Sequence, residues 1–318
     1  MTARVITTIY GFARHGHGCL TRSYDASYTE QTLESLQERF KMADKNAPGA
    51  LQVVTTPDYE AMFIGAHPDD NDFGAGATSA LWARQGKKIA WVVMTDGAEG
   101  SEVPSLIDTD LMLTREQEQR MACEVYGVQA LEFLRFPDGH LTNSEAARKA
   151  VVRLIRKYRP RVIFTHDPSE HIFAPDPDEK PEDTAYLNHS DHRATGRIVL
   201  DAIFPAVGNP RSYRELLAEG LQPYRVHEVY LFFTGRDNTY IDVSETIDLK
   251  AKGLHCHVTQ FGPEADMLER VRKWSEGTAK EAKEKKGLDM RYAESFCRIK
   301  LFVPKKEEDE GKEAELEA

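Results

Sequence analysis

Two short stretches hold residue types able to bind a metal and move a proton. The first is Ala66-His67-Pro68-Asp69-Asp70. His67 and Asp70 are three apart, so one turn can aim both at a single point, while Asp69 points elsewhere and is left for proton transfer. The second is Asn188-His189-Ser190-Asp191-His192, two imidazoles three residues apart with a carboxylate between them on the first turn of a helix. Either stretch alone reads as a polar turn or an ordinary helix start. Together they supply two His and one Asp with an open fourth position, the pattern of a catalytic zinc site; structural sites are closed and usually carry cysteine. The imidazoles argue against the oxygen-only shells of magnesium or calcium.

The elements around these stretches say where they sit. Ala61–Ala66 is a short apolar run suited to a buried strand, and a helical pattern from Thr78 to Gln85 stops at Gly86. Further strands are expected at 89–95, 130–136, 161–165 and 227–234. Thr114-Arg-Glu-Gln117 reads as a capping box for a helix to Tyr126, and Asn143 as the cap of a helix ending before Pro160. A helix from about His189 to Phe204 follows the Pro- and acid-rich loop 168–186. Residues 244–260 and 263–286 suit helices, and 297–303 a late strand. Strands alternating with helices predict an α/β fold, a Rossmann-like, mainly parallel sheet with helices on both faces. In such sheets ligands bind outside the carboxyl ends of the strands, where the first His-Asp cluster falls.

At 318 residues with 41 basic and 52 acidic side chains, formally −11, the chain suits one large α/β domain and is a poor general partner for nucleic acid. The four cysteines (Cys19, Cys123, Cys256, Cys297) are far apart, which reads as free thiols in a reducing compartment. No apolar run reaches the ~18–20 residues of a membrane span, and Met1–Tyr10 lacks the form of a secretory signal. A cytoplasmic protein is expected. His15-Gly-His-Gly18 reads as a glycine-rich turn and 27–42 as a helix within an N-terminal extension, residues 1–55, closed by a linker at 46–49. The main domain is expected over 56–303 and an acidic, solvated tail over 304–318.

Ala66-His-Pro-Asp-Asp70 and the His-x-Asp-His of 189–192 resemble the two motifs of the PIG-L/LmbE family of zinc-dependent de-N-acetylases. Thr95-Asp-Gly-Ala-Glu-Gly100, Val243–Lys250, His257-Val-Thr-Gln260 and Ala293-Glu-Ser-Phe296 agree with it as well, so the likeness spans roughly 60–300. Asn71 stands where the family usually has Glu. The resemblance implies one zinc ion per chain held by His67, Asp70 and His192. Asp69 would be the general base, His189 the residue that stabilises the oxyanion or protonates the leaving amine, and Asp191 its orienting carboxylate, raising its pKa. Arg115, read as a first-turn residue, and Asp138 would bind sugar hydroxyls. The implied reaction removes the N-acetyl group of an N-acetylglucosamine-like conjugate, releasing acetate; a homo-oligomer is compatible with it. Two rivals are a non-catalytic sugar- or metal-binding relative and a nucleotide-dependent α/β enzyme. The second lacks a Gly-x-Gly-x-x-Gly loop after the first strand. His166 reads as a neighbour of the site, not a ligand, and His171, His227, His255 and His257 as structural.

Overall fold

The computed structural model describes residues 53–173, 186–262 and 266–301, all within one compact unit, Leu51–Ala318. The glycine-rich turn at 15–18, the helix over 27–42, the linker at 46–49, positions 174–185 of the long loop and the tail from 304 lie outside the described residues. Val54, in the expected extension, bridges to Tyr224. The Thr55 carbonyl accepts a hydrogen bond from His227 Nε2.

The apolar run before His67 is the middle of the sheet. Strand β1 (Tyr59–Gly65) pairs in parallel with β2 (Ile89–Thr95) and with β4 (Pro160–His166). Beyond β2 lies β3 (Ala130–Phe136), and beyond β4 lies β7 (Glu228–Phe232), both parallel. Strands β9 (Ala293–Lys300) and β8 (Thr239–Asp242) close that edge antiparallel. The order is β3-β2-β1-β4-β7-β9-β8, a mostly parallel seven-stranded sheet of the class expected. Two-residue strands β5 (Ile172–Phe173) and β6 (Tyr186–Leu187) pair with each other at the ends of the long loop.

The strands read as unbroken apolar runs because helices bury both faces. Met62, Ile64, Val92 and Ile163 pack on α3 (Glu145–Tyr158) and α4 (Ser190–Asp201) through Val151, Ile155, Ile198 and Val199. Their neighbours Ala61, Phe63, Trp91, Val162 and Phe164 pack on α1 (Asp70–Arg84) and α2 (Asp108–Tyr126) through Ala80, Trp82, Ala122 and Tyr126. Phe63 stacks on Phe164 with ring centroids 4.4 Å apart. Among the described residues, no helix is long and apolar enough to cross a membrane.

Local differences from the sequence reading have local causes. Helix α1 starts at Asp70 and not Thr78; it kinks at Ala75, so its first turns do not share the later periodicity. Helix α2 starts at Asp108, which puts Arg115 two turns inside it and not in its first turn. Ser144 caps α3 by accepting the Ala147 N–H at 3.1 Å, while Asn143 donates to Asp201 at 2.7 Å. The helix expected over 244–260 breaks at Cys256 and His257 into α6 (Ile247–His255) and α7 (Val258–Phe261). Helix α8 (Met267–Lys286) follows; α5 (Glu215–Ala218) is a single turn before β7.

Candidate metal centre and active site

The strand order turns back between β1 and β4, and the crevice beyond their carboxyl ends collects the two motifs. Strand β1 runs into His67 and Asp70, β4 ends at His166, and the start of α4 carries His189 and His192. Gly196 lets α4 lie this close: a Cβ there would stand 2.4 Å from the His166 carbonyl oxygen and 3.0 Å from the Pro168 nitrogen, both backbone atoms. Gly196→Ala is therefore expected to push α4 outward and weaken metal binding, with the β1–β4 core still folded. Metal titration beside circular dichroism checks this.

Ligand atoms of His67, Asp70 and His192 lie within 4.8 Å of one another. Asp70 Oδ1 is 3.1 Å from His192 Nε2, and Asp70 Oδ2 is 3.3 Å from His67 Nδ1. Asp70 Oδ2 also accepts the His67 backbone N–H at 2.7 Å, closing the turn that brings the pair together. Two polar neighbours hold this set. Asn188 Oδ1 sits 3.0 Å from His192 Nδ1, which turns Nε2 towards Asp70. His166 Nε2 is 3.2 Å from Asp70 Oδ2, and its ring stacks on His192 at 4.2 Å.

Charge follows the geometry. Burial opposes charge on His67, but Asp138, Asp191 and Asp70 outweigh it and hold its pKa well above the ordinary value. Burial also opposes charge on Asp70; His192 and His166 prevail and hold it well below. His166 is lowered to about 4, by burial first and His192 second, so it is a neutral orienting ring. His67 turns Nδ1 to Asp70, while its Nε2 pairs with Asp138 Oδ1 at 3.0 Å. An imidazole, a carboxylate and an oriented second imidazole that converge in this way fit a zinc-like cation. His67, His189 and Asp191 also converge. That set is already engaged, since Asp191 accepts the N–H groups of Gly139 (2.8 Å) and Leu141 (3.2 Å).

Asp69 stands beside the cluster, on the first left-handed residue of the loop, with φ 111° and ψ −26°. Helix α2 holds this turn. Gln119 Oε1 accepts the Asp69 N–H at 2.9 Å, Arg115 donates to the Pro68 carbonyl at 2.9 Å, and Arg115 Nη2 is 3.5 Å from Asp69 Oδ2. Burial raises the Asp69 pKa to about 6, against the pull of Arg115. Arg115 is itself buried and also donates to the Gly97 carbonyl at 2.8 Å, so much of its donor capacity serves the backbone of the site. Asp138 contacts His67 and accepts the Glu99 N–H at 3.1 Å, yet it too borders the cavity.

One expectation is overturned. Asp191 was to raise the His189 pKa, but its carboxylate is turned towards Gly139, Leu141 and His67 Nε2 (3.5 Å). The His189 pKa is lowered, by burial first, then by His67 and His192; Asp191 opposes without prevailing. The Asp191 backbone N–H donates to His189 Nδ1 at 3.2 Å, so the neutral ring carries its proton on Nε2.

His67, Asp69, Asp70, Arg115, Asp138, His189 and His192 line a cavity of about 460 Å³ that also involves Phe73, Glu99, Phe233 and Gln260. Gln119 and Asn188 were missed in the sequence, as were Phe73 and Phe233. Gln119 stands four residues from Arg115 on one face of α2, a signal that was available, whereas Asn188 precedes the first residue of α4 and gives no such signal. His257, fully buried 3.3 Å from Asp72, lies behind the site as a structural residue.

Residues 62–203 match the family model described as PIG-L, GlcNAc-PI de-N-acetylase. Both histidine motifs fall inside that segment. The chain is 29% identical over 202 residues to the diacetylchitobiose deacetylase of Thermococcus kodakarensis, covering 64% of this chain and 70% of that protein. It is 27% identical over 233 residues to the 1D-myo-inositol 2-acetamido-2-deoxy-alpha-D-glucopyranoside deacetylase of Salinispora arenicola, covering 62% and 68%. Among solved structures, the N,N'-diacetylchitobiose deacetylase from Pyrococcus horikoshii aligns with a TM-score of 0.64 at 26% identity, covering 87% of this chain and 95% of that one.

Proposed function

We propose, from the premise that this chain carries a deacetylase domain of the PIG-L (LmbE-like) family, that it hydrolyses the N-acetyl group of an N-acetylglucosamine-like glycoconjugate with one zinc ion. The observation that carries the reading is Asp69, held by Arg115 and Gln119 at the edge of the His67–Asp70–His192 cluster. His67, Asp70 and His192 would hold the ion. Such a metal supplies, when bound, Lewis acidity to a water and to the acetyl carbonyl.

The chain's own residues do the rest. Asp69 accepts the proton of the attacking water and returns it to the departing amine, a role suited to a carboxyl with a pKa near 6. His189 offers its Nε2 proton to the carbonyl oxygen as charge develops there. Arg115 and Asp138 border the cavity where the sugar hydroxyls lie. A cytoplasmic setting belongs to the same reading and is supported by the free thiols of Cys123, Cys256 and Cys297.

The test is elemental analysis of the purified protein with an amine-release assay over N-acetylglucosamine, N,N'-diacetylchitobiose and N-acetylglucosaminyl-inositol. Stoichiometric zinc and metal-dependent amine release are expected; metal-independent release, or none, sinks the reading. His189→Ala should keep its metal and lose roughly 10²–10³-fold in turnover, the worth of one oxyanion donor. Because burial and the two neighbouring histidines lower its pKa, His189 is already neutral at pH 7. The pH–rate profile should therefore lack an alkaline limb that disappears in this variant.

A further inference from the structure

Two residues after Asp70, α1 carries a second carboxylate, Asp72, that is fully buried. A carboxylate taken out of water is costly unless donors meet its oxygens. Two side chains face it. Oδ2 accepts the Gln119 Nε2–H at 2.9 Å, and Oδ1 stands 3.3 Å from Nε2 of the equally buried His257. Neither Oδ1 nor Nε2 has a hydrogen-bond partner elsewhere. His257 Nδ1 has none either, so the proton this contact uses belongs on Nε2.

The contacts run on from Gln119 into the site. Gln119 Oε1 accepts the Asp69 N–H at 2.9 Å. A carboxylate can only accept and a backbone N–H can only donate, so one orientation of the Gln119 amide serves both neighbours. The flipped amide would set oxygen against oxygen and N–H against N–H. Asp72 thereby fixes the amide, and the amide ties down the backbone of Asp69 at its left-handed φ of 111°. His257 holds Oδ1 and so keeps Oδ2 on Gln119.

A break in the helix sets His257 in this place. Helix α6 ends at His255 and α7 begins at Val258. Beyond the break, the Thr259 N–H and hydroxyl donate to Glu118 at 2.8 and 2.6 Å. Gln260 Nε2 donates to the Gly100 carbonyl at 3.1 Å. The break is thus pinned to α2, the helix that carries Gln119, and the spacing between His257 and Gln119 is held. His257 lies outside the matched segment 62–203.

We propose that His257 is a positioning residue for the hydrolysis: acting through Asp72 and Gln119, it keeps the Asp69 carboxylate at the edge of the His67–Asp70–His192 cluster. What this histidine supports from behind the site is the base itself. The inference rests on the deacetylase reading, with Asp69 as its base.

The test compares two amides. His257→Gln sets an N–H where Nε2 stands, whereas His257→Asn sets its amide near the place of Nδ1 and leaves Asp72 Oδ1 without a donor. In the metal-loaded protein with N,N'-diacetylchitobiose, His257→Asn should lower kcat roughly 10–100-fold, the cost of a misplaced reacting group. KM and metal content should hold, since neither substrate binding nor ligation is touched. His257→Gln should recover most of the loss. Asp72→Asn should match His257→Asn, because an amide turns its one oxygen to one donor and an N–H to the other; it decides the question if His257→Asn does not fold. A kcat unchanged in both Asn variants overturns the proposal. So do equal losses in His257→Asn and His257→Gln, or a loss confined to KM or to the melting temperature.

NMR of protein made with isotope-labelled aspartate reads the link without turnover. The Asp69 amide signal, identified by its absence in Asp69→Asn, should move in His257→Asn and stay in place in His257→Gln. If no protein releases amine, wild type included, the deacetylase reading fails and this signal alone decides the link. An Asp69 amide unmoved by His257→Asn overturns it.

Discussion

Replacing Asp69 with Asn is expected to leave the metal and the fold in place and to lower turnover by roughly 10²–10⁴-fold, the usual contribution of a positioned general base. The amide keeps the size of the carboxyl and its place beside Arg115 but cannot accept the proton. The wild-type rate should rise with pH on the acid side, since below its pKa the carboxyl already carries a proton. The limb belongs at or below about pH 6, the value burial gives Asp69 without a cation, because a bound cation favours the carboxylate. Steady-state rates from pH 4 to 8, with metal content measured on the same samples, check both points. An Asn variant within a few-fold of wild type would hand the role of base to another group.

Removing a ligand is expected to act one step earlier. His67→Ala, Asp70→Ala and His192→Ala each leave two of the three converging side chains, and should lose metal and amine release together. Asn188→Ala removes only the group that orients His192 and should cost a smaller ~10–100-fold in metal affinity. Chelator-competition titrations can rank the four variants. The order would fail if Asn188→Ala matched a ligand variant, or if all three ligand variants kept wild-type affinity. Proton linkage gives a second signature. His67 has a raised pKa and must shed its proton to bind a cation, so affinity should weaken as the pH is lowered.

The sheet and both motifs were legible for one reason: they are written in contiguous residues. Ala61–Gly65 and Ile89–Thr95 are apolar without a break because helices cover both faces. The opening of α1 was hidden, because Asp70-Asn71-Asp72 and the glycines at 74 and 76 are poor helix formers held by their surroundings. Strand β8 has four residues and owes its place to pairing with β9. Asp191 and His189 show a limit of another kind. They are two residues apart, and two steps of ~100° at a helix start set their side chains on nearly opposite sides, so the carboxylate reaches His67 while its own backbone N–H meets His189. Gln119 and His166 gain their roles only when α2 and β4 meet the His67 loop.

The left-handed turn at Asp69 also bears on how this protein would change under selection. A non-glycine residue at φ 111° carries ~1–3 kcal/mol of strain, which glycine would release at a cost of ~0.5–1 kcal/mol in chain entropy. The buried carboxyl adds to the burden. Its folded pKa is raised, so it is neutral in stability at low pH and destabilises the fold as pH climbs past the unfolded value. Asp69→Gly should therefore melt higher than wild type, by a larger margin at pH 7 than at pH 4, while hydrolysing nothing. A library screened for heat resistance alone would drift towards glycine at this position, and one screened for amine release would hold aspartate there against the thermodynamic gradient.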